Sequence, residues 1–89
     1  TSVFAQPITI GVNLELSGRF AQIGNSALEG IRTALEQAPE VAGRTIELSI
    51  CDNQTSVEQS VACANRFVDE GVLAVLGPIS SSMSIPAAE

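Results

Sequence analysis

The sequence predicts an α/β fold in three layers, a parallel sheet of βαβ units with helices on both faces, and three observations carry that prediction. Short β-branched runs alternate with longer segments of helical period in the order strand, helix, strand, helix, strand, helix start, which makes two complete βαβ units. The third strand, Val72-Leu73-Ala74-Val75-Leu76, is an unbroken apolar run, the composition of a parallel strand covered on both faces. Gly77 and Pro78 end it, and four serines follow within Ile79 to Ser84. That is a hydroxyl-rich helix start at the carboxyl end of a strand, where open parallel sheets hold their ligands.

Taken in order, Ile8-Thr9-Ile10-Gly11-Val12-Asn13-Leu14 is short, alternating and β-branched, a first strand in which Gly11 is expected to mark the close approach of another backbone. Leu16-Ser17-Gly18 turns the chain into a helix over about 21–38, where Ala27, Ile31, Ala34, Leu35 and Ala38 recur at helical spacing and Pro39 makes the stop. Gly30 inside this helix costs about 1 kcal/mol relative to alanine, so close packing is expected there. Val41 to Arg44 forms the return loop. Thr45 to Cys51 alternates cleanly, which places this strand nearer a sheet edge than the run at 72–76. Asp52 to Ser56 leads into a second helix with Val57, Val61, Ala64 and Val68 on its expected buried face and Phe67 beside them. Ser56 or Thr55 is the N-cap, Gln59 stands where a capping box places its second member, and Gly71 stops the helix. The third helix starts among Ser80 to Ser84, because Pro86 is tolerated only within about the first turn.

Composition removes several function classes. A formal charge of −6, with four arginines and no lysine, gives no electrostatic footprint for nucleic acid or anionic lipid. Histidine is absent, so neither a Ser-His-Asp triad nor a histidine-held metal can be assembled from this chain. The glycines at 11, 18 and 24 are too far apart for a dinucleotide fingerprint, and without lysine there is no P-loop. No nucleophile–base pair is visible, so no enzyme activity and no cofactor are expected.

Thr1 to Ala5 reads as the remnant of a signal peptide, with Val3 and Ala5 at the small-residue positions of a cleavage site, and residues 6–89 as one structural unit. Export implies an oxidising compartment, in which Cys51 and Cys63 can form a disulfide. Cys51 ends a strand and Cys63 lies about two turns into the antiparallel helix that follows, within the usual Cα separation of a bridge. Cys63 nevertheless falls off the expected buried stripe, and two free thiols are the alternative.

Three segments meet at the carboxyl rim of the sheet: 16–23, 52–56 and 79–84. The third supplies a helix N-terminus, with free N–H groups, a favourable dipole and serine hydroxyls converging on one spot, so a ligand carboxylate is expected there. Capping by the serines without any ligand is the plainer alternative.

Several segments together carry a resemblance. Leu16-Ser17-Gly18 followed by Gln22-Ile23-Gly24, then Gly43-Arg44-Thr45-Ile46-Glu47-Leu48, Asp52-Asn53-Gln54, Ala64-Asn65-Arg66-Phe67-Val68 and Gly77-Pro78-Ile79-Ser80-Ser81-Ser82 are similar, in order and spacing, to the N-terminal part of the branched-chain amino-acid type of periplasmic solute-binding proteins. The resemblance implies a partial flavodoxin-like lobe of the type I periplasmic-binding fold, with strand order starting 2-1-3 and residues 6–89 forming the first portion of lobe one. It implies the substrate-binding component of an ABC uptake system for amino acids or related small carboxylate solutes, exported to the periplasm or lipid-anchored outside the cell, with an ABC permease as partner. The alternative is a ligand-sensing domain of a signalling or regulatory protein on the same scaffold.

By position, Ser81 matches the family's carboxylate-binding serine, with Ile79, Ser80 and Ser82 on the same turn and Ser17 on the first rim segment. Ile23 falls where the family often has an aromatic residue against the ligand side chain, and Phe20 can supply that ring instead. The family's frequent disulfide cannot form, since Ser80 occupies its second site. The strand order also leaves one edge of 72–76 unpaired within this chain, which predicts a homo-oligomer through that edge and the segment from Met83 onward.

Overall fold

The computed structural model describes residues 6–88, with the backbone alone for 81–84. The five residues read as a leader remnant and Glu89 lie outside the described residues. The elements are β1 (Ile8–Leu14), α1 (Ala21–Gln37), β2 (Glu40–Val41), β3 (Arg44–Asp52), α2 (Val57–Glu70), β4 (Ala74–Leu76) and α3 (Ser81–Ala88). They form one sheet in the order β2-β3-β1-β4. β1 is central and parallel to both neighbours, pairing Ile8 to Leu14 with Ile46 to Asp52 on one side and Ile10 to Val12 with Ala74 to Leu76 on the other. The three long-range strands thus follow the predicted 2-1-3 order. The return loop is itself a hairpin: β2 pairs antiparallel with the start of β3, and Ala42 and Gly43 both adopt positive φ between them, as a two-residue turn of this hand requires.

The α1 crossover carries the chain from β1 to one side and the α2 crossover carries it back past β1 to the other, so right-handed connections put the two helices on opposite faces. Side chains alternate accordingly. Gly11 and Asn13 face α2, and Ile10, Val12 and Leu14 face the α1 side, which gives the sheet its apolar centre. Val12, Leu14, Cys63 and Phe67 are the most deeply buried apolar residues.

Packing corrects four sequence expectations. A Cβ on Gly11 would strike the Phe67 ring, so the close approach there is made by a side chain of α2 rather than by backbone. Gly30 is exposed and has open space where a Cβ would stand. The helix glycine packed tightly is Gly24, whose missing Cβ leaves room for the backbone carbonyl of Glu15. The buried stripe of α2 is Ser60, Cys63 and Phe67, while Val57 and Val68 are exposed. That stripe sits one position away from the expected one: the Ser60 carbonyl accepts from Asn13, Cys63 is bonded to Cys51, and the Phe67 ring fills the space over Gly11. The third correction brings Cys63 inside, where it is bonded to Cys51 with a Cα separation of 5.8 Å.

The fourth correction concerns β4. Its three residues are exposed, because β1 is its one strand partner among the described residues and no described helix covers its outer side. The apolar run predicts burial correctly only where neighbours exist to bury it. Both helix boundaries drawn from capping agree with the structure: the Ser56 hydroxyl accepts from the Gln59 N–H at 3.4 Å, and Gly71, in the left-handed conformation, closes α2. Pro86 is the sixth residue of α3, in its second turn rather than its first.

Candidate functional site

The rim of the sheet is assembled around carboxylates and amides rather than serines. β1 leaves its pairing at Leu14, and the next residue, Glu15, is fully buried. Its two oxygens accept from the N–H groups of Ile79 at 3.2 Å and Ser80 at 3.0 Å, and Asn53 Nδ2 approaches Oε1 at 3.4 Å. Asn53 also donates to Asn13 Oδ1 at 3.0 Å, and Asn13 in turn donates to the Ser60 carbonyl at 3.0 Å. Four fully buried polar residues, Asn13, Glu15, Asn53 and Ser60, therefore form a chain from the end of β1 to α2 and to the β4–α3 turn. Among the described residues no buried side-chain polar atom is left without a partner, as a low-dielectric site demands. Burial pushes the Glu15 carboxyl up, but the N–H groups of Ser80 and Ile79 and the Asn53 amide more than offset it and hold the group below its ordinary value of 4.5.

A second carboxylate fixes the loop between β1 and α1. Asp52, at the end of β3, accepts from the N–H groups of Leu16 at 3.0 Å, Ser17 at 3.1 Å and Gln54 at 2.8 Å, and from the Ser17 hydroxyl at 2.7 Å. Burial raises its carboxyl, and these four donors, the Ser17 hydroxyl foremost, bring it below its ordinary value of 3.8. Thr55 continues the clamp, donating to the Ser17 carbonyl at 2.9 Å and accepting from the Phe20 N–H at 3.2 Å. The aromatic ring that follows is thereby placed at the rim, with the Arg19 guanidinium 5.5 Å above its centroid.

Between the clamped loop and the β4–α3 turn lies a cleft of about 190 Å³, lined by Glu15, Phe20, Ile23, Ile79 and Ser80. Ile23 and Ile79 keep 55% and 44% of their surface exposed, so the cleft has large apolar walls that nothing described here covers. Of the residues expected to bind ligand, the structure brings together Phe20, Ile23, Ile79 and Ser80. Ser17 is drawn away from the cleft into the Asp52 clamp. The side chains of Ser81 and Ser82 lie outside the described residues, and the backbone places Ser81 at the first position of α3.

The expected anion site changes in one respect. The N–H groups of Ile79 and Ser80, read from the sequence as open to a ligand carboxylate, are taken by Glu15. Sequence reasoning missed Glu15, Asn13 and Asn53. A signal was there: an acid directly after a central strand, in a sheet of order 2-1-3, lies beside the turn that leaves the third strand, where a proline-interrupted chain carries unpaired N–H groups.

Comparison with known proteins places this rim in context. A family model described as periplasmic binding protein matches residues 7–89. The Leu/Ile/Val-binding protein BraC3 of Rhizobium johnstonii is 31% identical over 85 residues, covering 92% of this chain and 23% of that protein. Leu/Ile/Val-binding protein homolog 2 of Brucella abortus is 32% identical with the same coverage. Among solved structures, a leucine-binding protein of Thermotoga maritima superposes with a TM-score of 0.89 at 33% identity, covering 91% of this chain and 23% of that one. A branched-chain amino acid transporter substrate-binding protein of Streptococcus pneumoniae, solved with isoleucine, gives a TM-score of 0.84 at 28% identity, covering 91% of this chain and 24% of that one. The chain spans 23% of the length of the curated relatives it matches.

Proposed function

The chain belongs to the periplasmic binding protein family, and from that premise we propose that the protein carrying it binds an aliphatic, branched-chain amino acid outside the cytoplasm and delivers it to an ABC permease. The observation that carries this reading is the cleft at the carboxyl rim: apolar walls from Phe20, Ile23 and Ile79 stand beside the first turn of α3. An aliphatic side chain gains from contact with those walls, and the N-terminus of α3 favours the carboxylate of the same molecule. Names of relatives support the branched-chain class, since proteins described as Leu/Ile/Val-binding match 92% of this chain. Ser81 is the residue assigned to the carboxylate, with Ser82 beside it on the same turn. No chemical conversion is part of the role.

Calorimetry on the full-length protein with leucine, isoleucine and valine tests the reading, and the absence of heat for all three would remove the branched-chain class. Loss of a hydrogen bond to a charged group costs about 1.5–3 kcal/mol, so Ser81→Ala is expected to weaken binding at least tenfold. An unchanged affinity would take Ser81 out of the site.

A further inference from the structure

We propose that Glu15 is a positioning residue for the ligand cleft: an internal carboxylate that locks the β4–α3 turn to the end of β1, so that the wall carrying Ile79 and the start of α1 carrying Phe20 and Ile23 hold one arrangement. This inference rests on the reading of the rim as a ligand site. Main-chain pairing between β1 and β4 ends at Val12 with Leu76. Beyond it come Gly77 and Pro78, and Pro78 has no N–H to donate. The first donors after Pro78 are those of Ile79 and Ser80, and both go to a side chain of the neighbouring strand end rather than to main chain. Glu15 thus extends the connection of β1 with β4 to the start of α3, past the point where the ladder stops.

The chemistry calls for a carboxylate. Three donors converge on it, with the Ile79 N–H and Asn53 Nδ2 on Oε1 and the Ser80 N–H on Oε2. An ionised carboxyl accepts at both oxygens, whereas a glutamine has one acceptor and would turn an NH2 group toward one of the turn's N–H groups. The side chain is fully buried and lines the cleft from beneath, and its backbone carbonyl occupies the space left open by Gly24 of α1. One residue therefore touches all three cleft elements: the end of β1, the first turns of α1 and the β4–α3 turn.

Of the titratable groups on elements packed against it, Glu29, Arg32 and Glu36 of α1 and Glu58, Arg66, Asp69 and Glu70 of α2 are all exposed, and Arg19 lies over the Phe20 ring. Asp52 is the other held carboxylate, and its donors are Leu16, Ser17 and Gln54. Its protonation is therefore read at those amides, separately from Ile79 and Ser80.

The test is Glu15→Gln in the full-length protein, with isoleucine as the probe. Amide hydrogen exchange at Ile79 and Ser80 is expected to quicken at least tenfold while Cys63 and Phe67 in α2 keep their protection, and the dissociation constant for isoleucine is expected to rise at least tenfold at neutral pH. Wild-type binding should weaken as the Glu15 carboxyl is protonated, which its amide donors push to pH values below its ordinary range, and the variant should lack the part of that loss that follows the Ile79 and Ser80 amides. Unchanged exchange at Ile79 and Ser80 together with an affinity within twofold of wild type would overturn the proposal. If the variant does not fold, wild-type NMR titration decides: the amide shifts of Ile79 and Ser80 must follow the Glu15 carboxyl carbon, and independent titration refutes the lock. Should wild type bind no branched-chain amino acid, the functional reading fails, while exchange and titration still judge Glu15.

Discussion

Asp52 and Glu15 each do with one side chain what a strand ladder does with several residues: they gather loop N–H groups that the sheet leaves behind. Asp52 collects three of them and a hydroxyl, all part-buried or at the rim. Asp52→Ala leaves the half-buried Leu16 and Ser17 donors without their acceptor, at a cost of about 1–3 kcal/mol, and thermal unfolding should shift downward accordingly. The sign of the pH dependence follows from the direction in which both groups move. Each carboxyl is held below its ordinary value, 4.5 for Glu15 and 3.8 for Asp52, so the folded chain binds fewer protons than the unfolded one. The stability they contribute is complete above those ordinary values and is lost as pH falls through the lower folded ones. Urea unfolding should therefore give a constant midpoint from neutral pH to about 5 and a declining one below about 4.5. A midpoint that holds steady to about pH 3 would show that neither carboxylate contributes.

At the scale of elements, α2 joins the sheet through three kinds of contact on one stripe: a carbonyl that accepts from Asn13 at Ser60, the bond from Cys63 to Cys51, and the Phe67 ring over Gly11. The bridge closes a loop of sequence separation 12, for which chain entropy gives about 3 kcal/mol. Intact mass before and after reduction and alkylation should show no free thiol in oxidised protein, and reduction should lower the unfolding temperature. Two alkylated cysteines without prior reduction would contradict the bridge. The order and type of elements were legible because they depend on period and punctuation: β-branched runs, helical spacing, Ser56 as cap and Gly71 as stop. The facing of α2 was not, because apolar periodicity ranks Val57, Val61 and Val68 above Ser60, and only the neighbouring strand reveals that Asn13 needs a partner there. The cleft walls at Phe20, Ile23 and Ile79 were legible through the rim rule and the family resemblance. The Glu15 lock joins residues more than sixty positions apart, a pairing that spacing along the chain cannot encode.

At the scale of the whole molecule, the two edges of the described sheet differ in chemistry, one charged and one apolar. On the β3 side the β2 hairpin covers Arg44 and Thr45 alone, along a strand that also carries Glu47 and Asp52, whereas β4 has β1 as its one described partner and presents Val75 and Leu76 to solvent. Leu73 beside it is 72% exposed, and Val68 of α2 and Ala87 and Ala88 of α3 help form a groove of about 460 Å³ between these elements, lined largely by apolar side chains. Natural edge strands are blunted by charge, proline or a covering element, and Val72 to Leu76 has no charged residue and no proline. A net charge of −6 opposes association at long range, but salt screens it within about a Debye length, and none of that charge lies on the edge itself. Expressed as these 89 residues, the chain is therefore expected to self-associate, with two copies pairing β4 edges about a two-fold axis and covering Leu73, Val75 and Leu76 with the segment from Met83 onward. Light scattering coupled to size exclusion at micromolar concentration should give at least twice 9.2 kDa. Because the drive is apolar, raising the salt should strengthen the assembly. Val75→Lys should weaken it while leaving the helical signal of α1 and α2 intact, since that position is exposed on an edge strand. A folded 9.2 kDa monomer across that range would show that the open edge is tolerated as it stands.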